Sequence, residues 1–444
     1  MAKAASLYHP EIETMNRRDL EALQLERLRW QLERCYEAPF YREKFDRAGV
    51  RPERLKSLDD LVHFPVVTKQ ELRDEQAAHP PFGRFTVAPS SDWAELHPSS
   101  GTTGHPVNTI WSKRDVQHIT DFTARMMWQF GVRPGDIVQN AFSYGLWVAG
   151  MGAHYAAQQI GCFIIPIGAQ LTERQLWYLE HVGSTVLLAT PSYGLYIAEK
   201  LKEQGIDPAR LKLRIGSFGG EAGTELDSTR QKLESGLGID AYDFYGLAEI
   251  GPTFAAECTE KAGLHWAEDH MFIEIIDPET MQRCEPGEVG VVVITHLTRE
   301  ATPMIRYWTN DYARVTYEPC PCGRTHLRTP GGILGRHDDL VIFRGAKFYP
   351  LQVEKVVRSF PELSGEYQIH LDRDPATGLD SCTVVVEALP GDYDAEGLRE
   401  RLRQALRSEC LVTPEVRLEP PGRLERTTFK AKRVFDRRGQ RQSA

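Results

Sequence analysis

Leu20, Leu23, Leu28 and Leu32 recur at roughly helical spacing through RRDLEALQLERLRWQLERCY, with charges between them. The spacing predicts a helix over 17–36 whose leucine stripe faces a core. VRPERLKSLDDLVHFPVVTKQEL follows as short helical pieces punctuated by prolines, and residues 115–130 read as a further helix. Short apolar runs then alternate with helical stretches. GVRPGDIVQNAF turns into a strand, GCFIIPIGA and GSTVLLATPSY supply two more, and LRIGSFGGEA is another that ends in glycines. Strands separated by helices in this way predict βα units and an α/β fold with mainly parallel sheets.

From about residue 336 the pattern changes. DLVIFRGAKFYP alternates, GEYQIHLDRDPATGLDSCTVVVEAL reads as a hairpin, and DAEGLRERLRQALRSEC reads as an amphipathic helix. That is a small α+β unit of a usual domain size. The glycines of GGILGRHDD, residues 331–339, mark the boundary. The expected domains are therefore 1–335 and 336–444.

The remaining composition mostly excludes. The chain has 444 residues and a net charge of −9, which speaks against a nucleic-acid binder that works by neutralising phosphates. The most apolar region, VAGMGAHYAAQQIGCFIIPIGA, is broken by His154, Gln158, Gln159 and several glycines, so no membrane span is expected. No secretory leader is recognisable. Eight cysteines in a chain of this length are too sparse for a disulfide scaffold. The expected place is the cytoplasm, with reduced thiols.

Candidate chemistry begins at HPSSGTTGHP, residues 97–106. Glycines let this backbone approach a ligand, and its N–H groups and hydroxyls can donate to anionic oxygens. A helix starting near KRDVQHI would add its dipole if the loop led into it. The lysine-bearing nucleotide loop is absent. An exposed flexible turn is the plainer alternative for this stretch alone. Further on, YDFYGLAEIGP ends an apolar run with an aromatic, a glycine and Glu249. RYWTNDYARV places Asp311 at an apparent strand end. GRHDDLVIFRGAKFYP couples an arginine and two aspartates to a glycine-bearing strand pair, and TTFKAKRVFD carries Lys430.

These five motifs, in this order, resemble the adenylate-forming superfamily of acyl-CoA synthetases, and most closely its phenylacetate–CoA ligase family. LERCYEAPFYREKFDRAGV and QNAFSYGLWVAGMGAHYAAQQIG are similar to that family's early segment and acid pocket. The resemblance runs from about residue 15 to about residue 437 and implies a large N-terminal adenylate-forming domain followed by a small mobile C-terminal one. It implies ATP, Mg²⁺ and coenzyme A. The expected reaction activates a small aromatic carboxylic acid, phenylacetate- or benzoate-like, and transfers it to the CoA thiol, with AMP and pyrophosphate as products.

By the same resemblance Ser99, Ser100, Gly101, Thr102, Thr103 and Gly104 hold phosphates. Gly220, Glu221, Tyr245 and Gly246 form the adenine shelf. Asp311 takes the ribose hydroxyls, Arg336 lies near ribose or phosphate, and Glu249 holds Mg²⁺. Lys430 serves adenylation, with Lys432 as its substitute. Asp338 is the hinge, and Gly345 leaves room for the pantetheine arm. The chain departs from the family pattern at His105 and Phe429, where lysine and glycine are usual.

Phe142, Tyr144 and Trp147 beside Gly150, Gly152 and Gly219 suit a flat ring, with ordinary core packing as the alternative. Cys258, His265, Cys320 and Cys322 make a four-ligand set for a structural Zn²⁺. Four ordinary reduced side chains are the alternative there, and His326, His270 or Asp269 could replace one ligand. Rival readings are a stand-alone adenylation enzyme serving a carrier protein or an amine, activation of a different small acid such as nitrite, and a binding or regulatory protein without activity. The assembly is open, a homodimer included.

Overall fold

The computed structural model describes residues 7–99, 106–169, 171–344, 346–373, 379–425 and 432–438. The first long helix runs over Arg17–Glu37, capped by the Asn16 side chain on the Asp19 N–H. Leu20, Leu28 and Leu32 are buried, but so are Gln24 and Gln31. Gln24 donates to the Glu268 carbonyl at 2.9 Å and Gln31 to the Arg299 carbonyl at 2.8 Å. Two glutamines on the inner face explain why the leucine repeat is only approximate. The proline-punctuated region folds as the short turns Pro52–Arg54 and Leu58–His63, then the helix Lys69–Ala78.

Two sheets build the N-terminal unit. The larger has eight strands. Its strands Asp240–Leu247, Ile215–Phe218, Val186–Ala189, Ile137–Asn140 and Phe163–Ile165 are neighbours in that order and all parallel. Beyond Asp240–Leu247 the sheet turns antiparallel through Gly251–Glu257, Leu264–Trp266 and Arg328–Thr329. The second sheet joins Met271–Ile276, Gly290–His296 and Tyr307–Ala313 antiparallel, adds Val67–Thr68 parallel to the last, and pairs Gly335–Arg336 with it. Within the eight-stranded sheet, parallel pairing is thus confined to the βα region. The antiparallel strands Gly251–Glu257 and Gly290–His296 are buried on both faces, so period-two patterning does not mark them.

The C-terminal unit has a four-stranded sheet, Glu415–Glu419, Asp380–Ala388, Leu363–Arg373 and Val434–Asp436, under the helices Pro350–Ser359 and Ala395–Cys410. Val341–Phe343 and Ala346–Phe348 pair as a hairpin beside it. Its apolar core, with Val353, Val357, Ile369, Leu371, Val384, Leu398 and Leu402, draws only on residues from Val341 onward. Among the described residues no helix is long and apolar enough to cross a membrane. The eight cysteines form no disulfide.

The start of the helix Lys113–Gln129 ties the two sheets together. Asp115 closes a capping box with Ser112 and also accepts from the backbone N–H groups of Glu300 and Ala301. Three histidines, His118, His270 and His296, gather behind it around a small buried cavity. Burial lowers all three from the usual imidazole value, His270 to about 3 despite Asp269 alongside. His296 accepts from the Met304 N–H through Nδ1 and meets the Ile250 carbonyl at 3.2 Å through Nε2. A second ring proton would face the Met304 donor.

These groups stay neutral in the fold and charge when it opens, so their stabilisation is complete above pH 6.5 and drains away below it. His270 alone withdraws about 1.4 kcal/mol per pH unit between its unfolded and folded values. Thermal melts should therefore be nearly constant from pH 8 to 7 and fall steadily from pH 6.5 to 4.5. A flat profile over the lower range would mean that these rings are already charged in the native protein.

Candidate active site

Four parallel strands of the larger sheet present their carboxyl ends on one side, the place where open α/β sheets bind ligands. Ile137–Asn140 runs into residues 142–147, Val186–Ala189 into Thr190, Ile215–Phe218 into Gly219–Glu221, and Asp240–Leu247 carries Tyr245 and Gly246. Tyr307–Ala313 of the second sheet supplies the opposite wall. Asp311 stands inside this strand, not at its end, and is 3% exposed. Strand alternation turns Tyr307, Thr309, Asp311 and Ala313 inward. The Tyr245 hydroxyl donates to Asp311 Oδ2 at 2.5 Å, and Arg336 Nη1 meets Oδ1 at 3.2 Å. Burial first, and Asp311 second, push the Tyr245 phenol well above its usual range. Arg336 also grips both oxygens of Asp338 at 2.9 Å. Tyr245, Asp311, Arg336 and Asp338 are thus one connected group.

Glu249 is 3% exposed and pairs with Lys69 Nζ at 2.9 Å. The Tyr307 hydroxyl bonds to it as well, and burial followed by the Glu249 charge raises that phenol far above normal. Lys69 reaches the site because Val67 and Thr68 pair with Tyr307 and Trp308. Neither Lys69 nor Tyr307 was legible as a site residue. One signal was available for the lysine. It follows the Thr68 cap of a T-x-x-E capping box, where the helix dipole mildly disfavours a cation, so a nearby anion would offset that cost.

HPSSGTTGHP sits at the tip of a hairpin, between Trp93–Pro98 and Asn108–Ser112. The helix Lys113–Gln129 begins only after the second strand, so the stretch does not lead directly into it. Ser99 closes the neck: its N–H donates to the Val107 carbonyl at 2.8 Å, and its hydroxyl accepts from the Val107 N–H at 2.9 Å. The Thr109 hydroxyl lies near the Ala248 carbonyl, which brings the neck beside Glu249. Ser100, Gly101, Thr102, Thr103 and Gly104 lie outside the described residues, as do His105, Gly345, Phe429 and Lys430. Lys432 places Nζ over the Phe435 ring, 5.1 Å from its centroid.

Phe142 stands edge-on to Trp147 at 5.6 Å and to Phe244 at 5.7 Å. Phe244 is a further wall residue that the sequence reading missed. Trp147 reaches the shelf, since a Cβ on Gly220 would lie 3.4 Å from its Cζ2. The hydroxyl of Tyr144 accepts from Asn140 Nδ2 at 2.8 Å and lies 3.2 Å from His154 Nδ1. The Glu221 carboxylate accepts from the Ser192 N–H at 2.9 Å. The small residues serve close packing rather than an open floor. A Cβ on Gly150 would meet the Ser143 carbonyl at 2.2 Å, on Gly152 the Pro252 ring at 2.2 Å, on Gly219 the Phe244 carbonyl at 2.5 Å, and on Gly246 the Pro252 carbonyl at 2.0 Å.

Away from the crevice, the ligand atoms of Cys258, His265, Cys320 and Cys322 all lie within 4.8 Å of one another, and the four residues are buried. His326 is occupied by the Trp266 and Ile12 carbonyls, and Asp269 by Arg125 and His270. The four-residue set is therefore the closed one, and its donor chemistry fits tetrahedral zinc.

The comparisons with known proteins agree with this geometry. Residues 23–303 match the AMP-binding enzymes, and residues 345–438 match the AMP-binding enzyme C-terminal domain. The fold and crevice are therefore those of an AMP-binding, adenylate-forming enzyme. Phenylacetate-coenzyme A ligase of Thermus thermophilus is 40% identical over 97% of this chain and 100% of its own. The Pseudomonas putida enzyme of the same name is 39% identical over 98% and 99%. The chain belongs to the phenylacetate–CoA ligase family. Among solved structures, 2-hydroxyisobutyryl-CoA ligase in its postadenylation state is 32% identical, covers 97% of this chain and 92% of its own, and superposes with a TM-score of 0.91. The same ligase in its thioesterification state, at 33% identity and with 98% and 93% coverage, gives 0.75.

Asp311→Ala should leave the Tyr245 hydroxyl and Arg336 facing an apolar gap and lower unfolding stability by about 1–3 kcal/mol. Tyr245→Phe should cost less, about 1 kcal/mol, because the carboxylate keeps Arg336. Denaturant unfolding of both variants tests this. A larger loss from Tyr245→Phe than from Asp311→Ala would show that another group anchors the phenol.

Proposed function

We propose that the chain condenses a small aromatic carboxylic acid, phenylacetate or a benzoate-like acid, with ATP and passes the acyl group to coenzyme A. In the first step a carboxylate oxygen attacks the α-phosphorus, and the bond to the bridging oxygen breaks to release pyrophosphate. In the second the CoA sulfur attacks the acyl carbon, AMP leaves, and the thiol proton is lost to solvent. What supports this reading is that Phe244 and Trp147 lie against Gly219 and Gly220, while Tyr245, next to Phe244 on the same strand, holds Asp311.

Residue roles follow from that placement. Ser99 to Gly104 hold the β- and γ-phosphates. Gly220, Glu221, Tyr245 and Gly246 receive adenine, Asp311 the ribose hydroxyls, and Arg336 the neighbouring ribose or phosphate. Glu249 would hold Mg²⁺, which takes few protein ligands and offsets phosphate charge. Lys69, fixed beside it, supplies a phosphate-side cation in a chain that has His105 after the loop. Lys430 draws the two anions together. Asp338 is the hinge between 1–335 and 336–444, at the gap between the two apolar cores, and Gly345 faces the pantetheine arm once the smaller domain has turned. A postadenylation orientation of the smaller unit is supported by the higher TM-score to that state of the ligase. Cys258, His265, Cys320 and Cys322 would hold Zn²⁺, which supplies folding energy and no chemistry. The reduced cysteines suit a cytoplasmic enzyme.

Pyrophosphate release across phenylacetate, benzoates and 2-hydroxyisobutyrate, with and without CoA, tests the activity. An arylacetate or benzoate should lead, and its thioester should appear only with CoA. Trp147→Ala removes apolar contact worth about 1–3 kcal/mol and should raise the KM for the acid roughly tenfold or more while CoA use is retained. Preference for the aliphatic acid in the parent chain would remove the aromatic assignment.

Metal analysis of protein purified without chelator should find about one zinc per chain. Cys320→Ser with Cys322→Ser should lower both metal content and melting temperature, since site binding energy is folding energy. A chain without zinc whose melting is indifferent to chelator would leave four unrelated side chains.

A further inference from the structure

The helix Pro350–Ser359 of the C-terminal unit packs on the helix Asp227–Leu237 of the N-terminal unit. Arg358 lies at this junction and is only 3% exposed. A guanidinium that deep needs matching groups. Nη2 pairs with Glu354 Oε1 at 2.6 Å, one turn back on its own helix, and Glu354 Oε2 accepts from the Tyr367 hydroxyl at 3.1 Å. Nη1 crosses to the other unit and donates to Thr229 Oγ1 at 2.5 Å.

The same nitrogen lies against Gly223, where a Cβ would stand 3.3 Å from it. Gly223 follows the Gly219–Glu221 shelf by two residues. Its N–H donates to Glu225 Oε2 at 2.7 Å. Gly332, close to the domain junction, packs on Glu225 and Asp243, with its missing Cβ 3.0 Å from Glu225 Cβ and 2.9 Å from Asp243 Oδ2. Arg358 therefore lies close to Gly223, two residues beyond the proposed nucleotide shelf.

The bonding pattern suits a contact that must open. The charge is balanced within the moving unit, because Arg358 and Glu354 share one helix and travel as a pair. The bond across the junction goes to a neutral hydroxyl. Separation therefore leaves the Arg358–Glu354 pair intact, whereas parting a buried ion pair costs far more. The orientation is also particular to one stage. One and the same ligase superposes at 0.91 in its postadenylation state and at 0.75 in its thioesterification state. The sequence of that ligase is common to both states, so the difference is one of arrangement.

We propose that Arg358 is a positioning residue, a latch that holds the C-terminal unit in the postadenylation orientation through Thr229 and the loop just beyond the nucleotide shelf and lets go before the thioester forms. The proposal rests on the two-step reaction given above.

Arg358→Met and Thr229→Val, made in the full chain, test it with two independent readings. Thr229→Val is nearly isosteric and keeps the fold if Arg358→Met does not. Hydrogen–deuterium exchange, which needs no catalysis, should rise in both variants at residues 222–230 and 350–359 together. Pyrophosphate exchange should slow by about tenfold, the worth of one hydrogen bond to a charged group. Thioester formation from preformed acyl adenylate should hold steady or quicken. Parallel losses in both half-reactions, no change in either, or exchange rising on one side of the junction alone would each overturn the latch. A parent chain that releases pyrophosphate with no acid would sink the activity reading, and the hydrogen-exchange data would still decide the contact.

Discussion

Asp311 is a carboxylate buried inside a strand, and the crevice takes its form from how that charge is matched. Taking a carboxylate out of water is costly unless charged and hydrogen-bonding groups meet it. Here the partners come from two other parts of the chain. Tyr245 reaches it from the eight-stranded sheet, and Arg336 reaches it from the segment that leads to the second core. Asp338, on the far side of Arg336, belongs to the same group. The two sheets and the domain junction are therefore registered on a single side chain. A ligand that bonded to Asp311 would sense all three at once.

A second buried carboxylate, Glu249, poses the same problem and is met differently. Its cation comes from the first turn of a helix, a place the helix dipole disfavours. The two-residue strand Val67–Thr68 fixes that helix against Tyr307. Tyr307 then bonds to Glu249, and Asp311 also bears on its phenol. The charges around the two buried carboxylates are thus set in advance by the fold. Preorganised groups of this kind need no rearrangement when the reaction begins.

The junction between the units follows the opposite logic. The N-terminal core and the C-terminal core share no residue, and the contacts between them include the polar Arg358–Thr229 bond beside the Tyr312–Tyr349 ring pair. Polar interfaces of modest size permit relative motion, whereas a continuous apolar core resists it. Arg358 with Glu354 shows how such a junction can be buried and still open, because the ion pair is complete on one side of it.

Much of this was legible in the residues alone. The helix over 17–36, four of the five strands of the parallel region, the Leu363–Arg373 and Asp380–Ala388 hairpin, and the change of texture near residue 336 are local patterns, and burial of one face writes such patterns directly into sequence. Motif order indicated the family, and residue type alone named Cys258, His265, Cys320 and Cys322. Tertiary structure decided what depends on pairing between distant segments. It put Asp311 inside its strand, seated the glycine-rich loop on a hairpin instead of a helix start, filled the space beside Gly150 and Gly219, and joined Lys69 to Glu249 and Arg358 to Thr229. None of these contacts has a period or a spacing of its own. Each is set by strand order and register, which local hydrophobic pattern does not encode.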